Sequence, residues 1–138
     1  MPDEDDETLA EAFWSVARRL RHLTHDTVTP LGVTPGQARA LGVLRRHGGM
    51  RLSELSDHLR IVPRSTTEVI DALEERGLAT RTPDPADRRA TLVSLTPEGT
   101  RLSEAVAAAR RAEAEAFFGR LSAADREALT RILRSMRG

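Results

Sequence analysis

Two consecutive arginines, Arg88 and Arg89, follow Asp87 in a charged, turn-rich stretch, 82–89, that separates two short runs of strand-forming residues. A turn between strands needs only Gly, Asn or Asp, so the turn itself does not explain the arginines. A guanidinium at such a tip can enter a narrow minor groove of DNA, where the negative potential is deepest. Asp87 is predicted to orient a neighbouring guanidinium through a bidentate pair. The tip therefore favours contact with DNA.

A second set of polar residues shares one face of a helix predicted from about Arg64 to Arg76. Helical spacing turns the apolar side of this helix inward and leaves five residues facing outward: Arg64, Ser65, Thr67, Glu68 and Asp71. Short polar side chains near a helix start can reach base edges, and the helix N terminus itself favours phosphate. Taken alone, the helix is better explained as an ordinary surface helix. Because the arginine tip follows this helix in the sequence, contact of the helix with DNA becomes the better explanation.

The spacing of apolar residues and the turn signals predict six helices and one hairpin, in the order αααα-ββ-αα. The first helix is predicted at about 6–26, and the second at 35–47 after a Thr34 cap. The third runs from a Ser53 cap to before Pro63, and the fourth covers 64–76 and ends at Gly77. The fifth is predicted at 96–119, and the sixth begins at a cap within 122–125. The strands are predicted at 78–81 and 90–95.

Two short helices joined by a tight turn and followed by a hairpin form a winged helix-turn-helix, whose second helix enters the major groove. The predicted fold is therefore mainly α with a small β-hairpin wing. We interpret 1–138 as a single domain, with 34–95 as the DNA-binding region and with 6–33 and 96–138 as dimerisation helices. The apolar stripes of these terminal helices have no partner within a lone winged region, which predicts a homodimer.

The stretch 51–99, with the preceding LGVTPGQARALGVLRRHG, resembles the MarR (multiple antibiotic resistance regulator) family. The specific combination is LEERGL at 73–78, followed by Asp87-Arg88-Arg89 and by Leu95-Thr96. The resemblance implies a repressor with interlocking terminal helices, whose two winged regions read the halves of a palindromic operator in double-stranded DNA. It also places Asp87 and Arg89 on the family's Asp-x-Arg wing signature. Glu68 departs from the family, because many members carry a basic or neutral residue there, and phosphate repels a carboxylate.

The charge of this 138-residue chain is unevenly distributed, although the formal net charge is zero. Six of the 21 acidic residues lie in the first eleven positions, and all 21 cationic residues, every one an arginine, lie beyond them. Residues 12–138 therefore carry 21 basic and 15 acidic side chains, a net charge of +6. This distribution suits a polyanionic partner. The acidic segment before Leu9 has too few apolar side chains to pack.

The composition excludes several classes of protein. The chain has no cysteine, which rules out disulfides, thiolate zinc sites and cysteine redox sensors. No apolar run approaches the roughly 18 to 20 residues of a membrane span, and the N terminus is acidic where a signal peptide is basic and then apolar. We therefore expect a cytoplasmic protein without membrane association. No G-x-S-x-G, Walker or H-E-x-x-H pattern is present, so no enzymatic activity is expected.

A small aromatic effector is a further partner that the resemblance implies, in a cleft between the dimerisation helices and the winged region. Trp14, Arg18 and His22 lie three or four residues apart on the first helix and are placed to line such a cleft. Packing of Trp14 in the core or the dimer, with Arg18 and His22 solvated, is the better explanation, because large aromatics are usually buried for packing.

The histidines are the remaining candidates for metal binding. His22 and His25 are one helical turn apart, and His47 or His58 would have to join them to supply further nitrogen ligands. This spacing matches no closed zinc site. We therefore predict neither a metal nor a cofactor.

A rival interpretation is a protein-interaction or dimerisation module that keeps the winged fold without binding DNA. The neutral overall charge and Glu68 favour this module, whereas Arg88 and Arg89 argue against it. A gel shift with the DNA upstream of the chain's own gene separates the two.

Overall fold

The computed structural model describes residues 6–138, which form six α-helices, a one-turn 3-10 helix at Thr29–Leu31 and three short strands. The helices are α1 (Leu9–Val28), α2 (Pro35–His47), α3 (Leu52–Leu59), α4 (Pro63–Glu75), α5 (Pro97–Phe118) and α6 (Ala123–Met136), and the strands are β1 (Met50–Arg51), β2 (Ala79–Pro83) and β3 (Thr91–Leu95). The predicted mainly helical fold with a hairpin is confirmed.

The chain divides into two compact units. The terminal unit comprises the described residues up to Thr27 together with Ala109–Gly138, and the winged unit comprises Val28–Ala108. The first turns of α5 belong to the winged unit because Thr96 ties them to it: its N–H donates to the Leu78 carbonyl at 3.1 Å, and its hydroxyl donates to the Gly77 carbonyl at 2.6 Å. The assignment of 6–33 and 96–138 to dimerisation stays a prediction.

Local capping signals explain where the helices begin and end. Thr34 forms the predicted capping box at the start of α2, since its Oγ1 accepts from the Gln37 N–H at 3.1 Å and the Gln37 Oε1 accepts from the Thr34 N–H at 3.2 Å. Thr8 and Glu11 form an equivalent box before α1. After α4 the chain turns at Gly77, whose φ of 72° is a left-handed conformation that favours glycine.

The hairpin gains a third strand that the sequence pattern did not reveal. β1 pairs antiparallel with β3, with Met50 opposite Val93, and β3 pairs with β2, giving the strand order β1-β3-β2. The predicted Ser53 cap is wrong, because Arg51 ends this strand and is itself the N-cap of α3. Glu54 completes the helix start by accepting from the Arg51 N–H at 3.4 Å.

The core of the winged unit is mainly apolar, and its buried polar residues are Ser56, Thr66, Asp84 and Ser103. Its largest fully buried side chains include Leu41, Leu55, Leu59, Ile70, Leu73 and Val93. Among them the Ser56 hydroxyl donates to the Thr66 hydroxyl at 2.9 Å, and both residues are buried. Thr66 lies on the inward face of α4, opposite the outward set predicted from the sequence. Because a buried hydroxyl without a partner is costly, this hydrogen bond holds α3 against α4 in one register.

Thr66→Val should therefore destabilise the winged unit while leaving its shape unchanged. We expect the free energy of unfolding to fall by about 1–3 kcal/mol, because the Ser56 hydroxyl loses its buried acceptor. Thr67→Val, at the exposed neighbouring position, is the control and should change stability by less than about 0.5 kcal/mol. Denaturant unfolding measures both variants. Equal stabilities would show that the hydroxyl pair contributes nothing.

The terminal unit leaves large apolar side chains in solvent. Leu9 is 87% exposed, Trp14 58% and Met136 73%, and no residue of α6 is buried. Apolar surface of this kind marks an interaction site. The expectation that the segment before Leu9 does not pack falls mainly on residues 1–5, which lie outside the described residues. Within 6–138, no helix is both long and apolar enough to cross a bilayer.

Candidate nucleic-acid interface

The turn between α3 and α4 sets the position of α4. Arg60 adopts the left-handed conformation with φ of 54°, and its N–H donates to the Asp57 carbonyl at 3.3 Å. The Ile61 N–H donates to the Ser56 carbonyl at 3.4 Å, which closes the turn. The three residues at 60–62 therefore reverse the chain, and α4 packs its buried face on α2 and α3. Its other face is open to solvent, as in a helix-turn-helix.

The first turn of this open face carries Arg64, whose side chain forms only one weak ion pair. The Arg64 side chain is 90% exposed, and its Nε lies 3.8 Å from the Glu68 Oε1, one helical turn away. An exposed pair of this length contributes little, so the guanidinium can leave it for another acceptor. Thr67 is also exposed, whereas Ser65 is half-buried.

Asp71, the last of the predicted contact residues on α4, is already engaged. Its Oδ1 accepts from the Arg81 Nη2 at 2.6 Å, and the Glu74 Oε2 accepts from the Arg81 Nη1 at 2.6 Å. One guanidinium on β2 thus bridges two carboxylates on α4 and fixes the wing relative to that helix. Sequence reasoning missed Arg81, because residues ten positions apart on different elements show no common pattern.

A second ion pair anchors the wing where β2 ends and the tip turn begins. The Arg51 Nε and Nη2 both lie 2.9 Å from the Asp84 Oδ2, and Asp84 is only 8% exposed. The Ala86 N–H donates to the other carboxylate oxygen at 2.9 Å. That backbone N–H, and after it the Arg51 guanidinium, holds the pKa of the Asp84 carboxyl below its ordinary value. Sequence reasoning missed this pair also, since 33 residues separate its members.

The wing tip is a compact turn that presents both predicted arginines to solvent. The Asp84 N–H donates to the Ala90 carbonyl at 3.0 Å, and the Ala90 N–H donates to the Asp87 carbonyl at 2.9 Å. Arg88 and Arg89 stand between these bonds and are exposed. The turn therefore holds the backbone of the arginines while their side chains lie in solvent.

The predicted pairing of Asp87 with a neighbouring guanidinium is wrong. The Asp87 Oδ1 instead accepts from the backbone N–H of Arg89 at 3.0 Å, which is the Asx-turn contact of a carboxylate with the N–H two residues on. Among the ion pairs of residues 6–138, none involves Asp87. Its carboxylate shapes the tip and leaves the guanidinium groups unpaired.

The Asp84 anchor makes the wing sensitive to acid and to substitution. A lowered pKa means that the ion pair stabilises the folded wing above the ordinary carboxyl pKa of about 4. This contribution is lost as the pH falls through the lower folded value. We expect Asp84→Asn to speed hydrogen exchange at the Ala86 amide at neutral pH, with little change in α2. Asp57→Asn, exposed and outside the ion pairs of the described residues, is the control. Equal exchange in both variants would contradict the anchor.

The three residues expected at an effector site lie together on α1, in the terminal unit, and all three are exposed. The Trp14 ring packs edge-on against Phe13, with centroids 5.7 Å apart, and the His22 Nε2 lies 3.5 Å from the Asp26 Oδ2. Arg18 is on the same helix face. Their role stays a prediction.

The histidines do not assemble into a metal site. Among the described residues, no three or more His, Asp or Glu side chains come together as metal ligands. His47 and His58 do meet, but as stacked rings with centroids 4.5 Å apart.

The polar face of α4 and the arginine-tipped hairpin are fixed to each other inside one unit. This combination defines a winged helix-turn-helix transcriptional regulator, a DNA-binding class of protein. Within this class the chain belongs to the MarR family, and residues 33–91 match that family directly. The resemblance found in the sequence is confirmed.

Curated relatives support the assignment. The chain is 35% identical over 127 residues to the HTH-type transcriptional regulator Mb0904 of Mycobacterium bovis, a match that covers 91% of this chain and 85% of that protein. It is 40% identical over 81 residues to the HTH-type transcriptional repressor MdtR of Bacillus subtilis. That match covers 59% of this chain and spans about half of the relative, 52% of its length.

Solved structures show the same fold. The YusO protein from Bacillus subtilis matches with a TM-score of 0.83 at 26% identity, over 99% of this chain and 97% of that one. MepR, a transcription regulator of the Staphylococcus aureus multidrug efflux pump MepA, matches with a TM-score of 0.86 at 20% identity, over 94% and 96% of the two chains.

Proposed function

We propose that the chain is a repressor that binds a palindromic operator as a homodimer. In this proposal α4 of each copy enters the major groove, and Arg88 and Arg89 enter the adjoining minor groove. The observation that carries it is the pair of exposed, unpaired wing arginines on a hairpin tied to α4. The name of MdtR, a repressor, supports the direction of control.

The start of α4 adds a contact with the DNA backbone to these contacts in the grooves. Val62 is the N-cap of this helix and forms no side-chain cap, and Pro63 occupies the first helical turn. The first N–H groups of α4 are therefore available to a phosphate, which the positive end of the helix dipole also favours. Phosphate bound there would fix the register in which Arg64 and Thr67 meet base edges.

The wing and the start of α4 contribute differently to the recognition of DNA. Guanidinium groups in the minor groove respond to backbone charge, which is the same in every sequence, and to groove width rather than to individual base edges. An arginine in the major groove can instead read a guanine through a bidentate pair. We therefore assign general affinity to the wing and base preference to the start of α4.

A homodimer follows from the exposed apolar side chains of the terminal unit. Sedimentation of the full chain at micromolar concentration should give a dimer, because Leu9, Trp14 and Met136 otherwise stay in water. A C2 dimer would also place two copies of α4 about one DNA turn apart. A well-folded monomer at this concentration would contradict the proposal.

The proposed function has three further parts, which concern an effector, enzymatic activity and the cellular compartment. We propose that a small aromatic effector binds near Trp14, Arg18 and His22 and relieves repression. We also propose that the protein has no enzymatic activity and acts in the cytoplasm, where a bacterial regulator meets its operator. The family and the relatives named as transcriptional regulators support these statements.

Anisotropy of a labelled duplex decides between the repressor and the interaction module. The duplex carries the DNA upstream of the chain's own gene, and a scrambled duplex is the control. The repressor should prefer the upstream duplex, and its affinity for both should fall as salt rises. No binding to either duplex at low salt would favour the interaction module.

A further inference from the structure

Val62, the N-cap of α4, is an apolar residue at the leading end of the helix that we propose reads DNA, and it is 64% exposed. Over the described part of the chain, every other exposed large aliphatic or aromatic side chain lies in α1 or α6, in the terminal unit. The winged unit, which lies wholly within the described residues, therefore exposes one such side chain. That side chain lies where α4 would enter the major groove.

Neither core packing nor helix capping explains a valine at this position. The neighbouring Ile61 is half-buried and packs against the core, whereas Val62 is exposed. Ser, Thr, Asp and Asn are preferred at an N-cap because their side chains accept a backbone N–H, and Val is among the least favourable residues there. Thr34 and Ser122 make this contact at the starts of α2 and α6. Because Val62 breaks this local rule without a gain in packing, it is a candidate for a functional contact.

The backbone of Val62 is held on both sides. Its carbonyl accepts from the N–H of the buried Thr66 at 3.2 Å. On the other side, the Ile61 N–H donates to the Ser56 carbonyl at 3.4 Å. Val62 itself is extended, with φ of −67° and ψ of 149°. A fixed backbone thus carries an apolar side chain into solvent, as a preorganised recognition contact requires.

The base edges of the major groove offer one methyl group, the 5-methyl group of thymine. An apolar side chain that enters this groove gains most by excluding water from that methyl group. We propose that Val62 contacts the 5-methyl group of one thymine in each operator half-site, close to the base that Arg64 reads. The contact makes the protein prefer thymine at that position. This inference rests on the proposed insertion of α4 into the major groove.

Replacing thymine by deoxyuridine tests the contact, because the replacement removes the 5-methyl group and keeps every hydrogen bond of the base pair. Each thymine of the upstream duplex is replaced in turn, and anisotropy measures the Kd of the full chain. We expect one replacement in each half-site to raise the Kd about fourfold, the factor that burial of one methyl group contributes. Val62→Ala should bind the thymine and the deoxyuridine duplex with equal affinity.

Val62→Ser separates loss of the contact from loss of folding. A serine N-cap can accept the Ser65 N–H, so thermal unfolding should show a more stable protein. Its discrimination between the two duplexes should nevertheless disappear, which misfolding does not explain. Arg88→Ala is the matched control, because it should weaken binding to both duplexes and keep the fourfold ratio between them.

The outcomes distinguish this inference from the proposed function. A wild type that binds the upstream duplex, yet loses less than about twofold in affinity at every replaced thymine, would overturn the inference and leave DNA binding standing. A fourfold ratio that persists in Val62→Ala would overturn it equally. Failure of the wild type to bind any duplex would contradict the proposed function, and the inference with it.

Discussion

Removing both wing arginines, Arg88→Ala together with Arg89→Ala, should weaken binding to the upstream and the scrambled duplex alike. Each lost contact with the DNA backbone should lower the slope of log affinity against log salt by about 1. We expect affinity at moderate salt to fall at least about tenfold, since charge-assisted hydrogen bonds contribute about 1.5–3 kcal/mol each. Salt-titrated anisotropy measures affinity and slope together.

Arg64→Ala is the contrasting variant, because it removes one exposed arginine from the other contact surface. It should relax the preference at one operator position, by about 1–3 kcal/mol if a bidentate pair is lost. Unchanged binding of the double wing variant to both duplexes would show that the hairpin does not touch DNA.

Asp87→Ala distinguishes the effect of the shape of the wing tip on DNA binding from the effect of its charge. It makes the chain more cationic, so simple electrostatics predicts tighter binding to DNA. We expect weaker binding instead, because the Asp87 carboxylate holds the Arg89 N–H and thereby the shape of the tip. Tighter binding would show that the shape of the tip is unimportant.

Gly99→Ala should have a large effect on stability, far from any DNA contact. Gly99 lies in the first turns of α5 and is buried against the backbone of Leu78, so an added Cβ would overlap the Leu78 carbonyl oxygen. That carbonyl also accepts the Thr96 N–H at 3.1 Å, so neither side can move without breaking a hydrogen bond. We expect the free energy of unfolding to fall by about 1–3 kcal/mol or more. Thermal unfolding measures the loss.

Gly42→Ala is the matched control, a glycine inside α2. Its added Cβ would meet only the flexible end of the Arg46 side chain, at 3.7 Å. Alanine in a helix interior is favoured over glycine by about 0.5–1 kcal/mol, so this variant should be stabilised. The two substitutions are chemically identical and should move stability in opposite directions. If Gly99→Ala matched Gly42→Ala, the close approach of α5 to Leu78 would be disproved.

Much of the architecture could be predicted from the sequence because its signals act over a few residues. A capping box such as Thr34 with Gln37 joins positions three apart, and the apolar face of α4 repeats every three or four. The exposure of Arg88 and Arg89 was predictable for a similar reason, since a turn between two short strands places its central residues at a tip. The family resemblance depended on the same local stretch.

Only the tertiary structure decided which polar side chains meet. Arg51 reaches Asp84, and Arg81 reaches Asp71, because the sheet docks beside α3 and α4. The choice of which polar side chains meet when two elements dock leaves no periodicity in either segment, so neither pair was predictable. The same docking pairs Met50 with Val93 of β3. It also explains why α3 is capped at Arg51 and not at Ser53, as the sequence predicted. The Asp87 carboxylate accepts from the backbone N–H of Arg89 and does not pair with a guanidinium. A short side chain in a tight turn reaches the nearby backbone more easily than a neighbouring side chain.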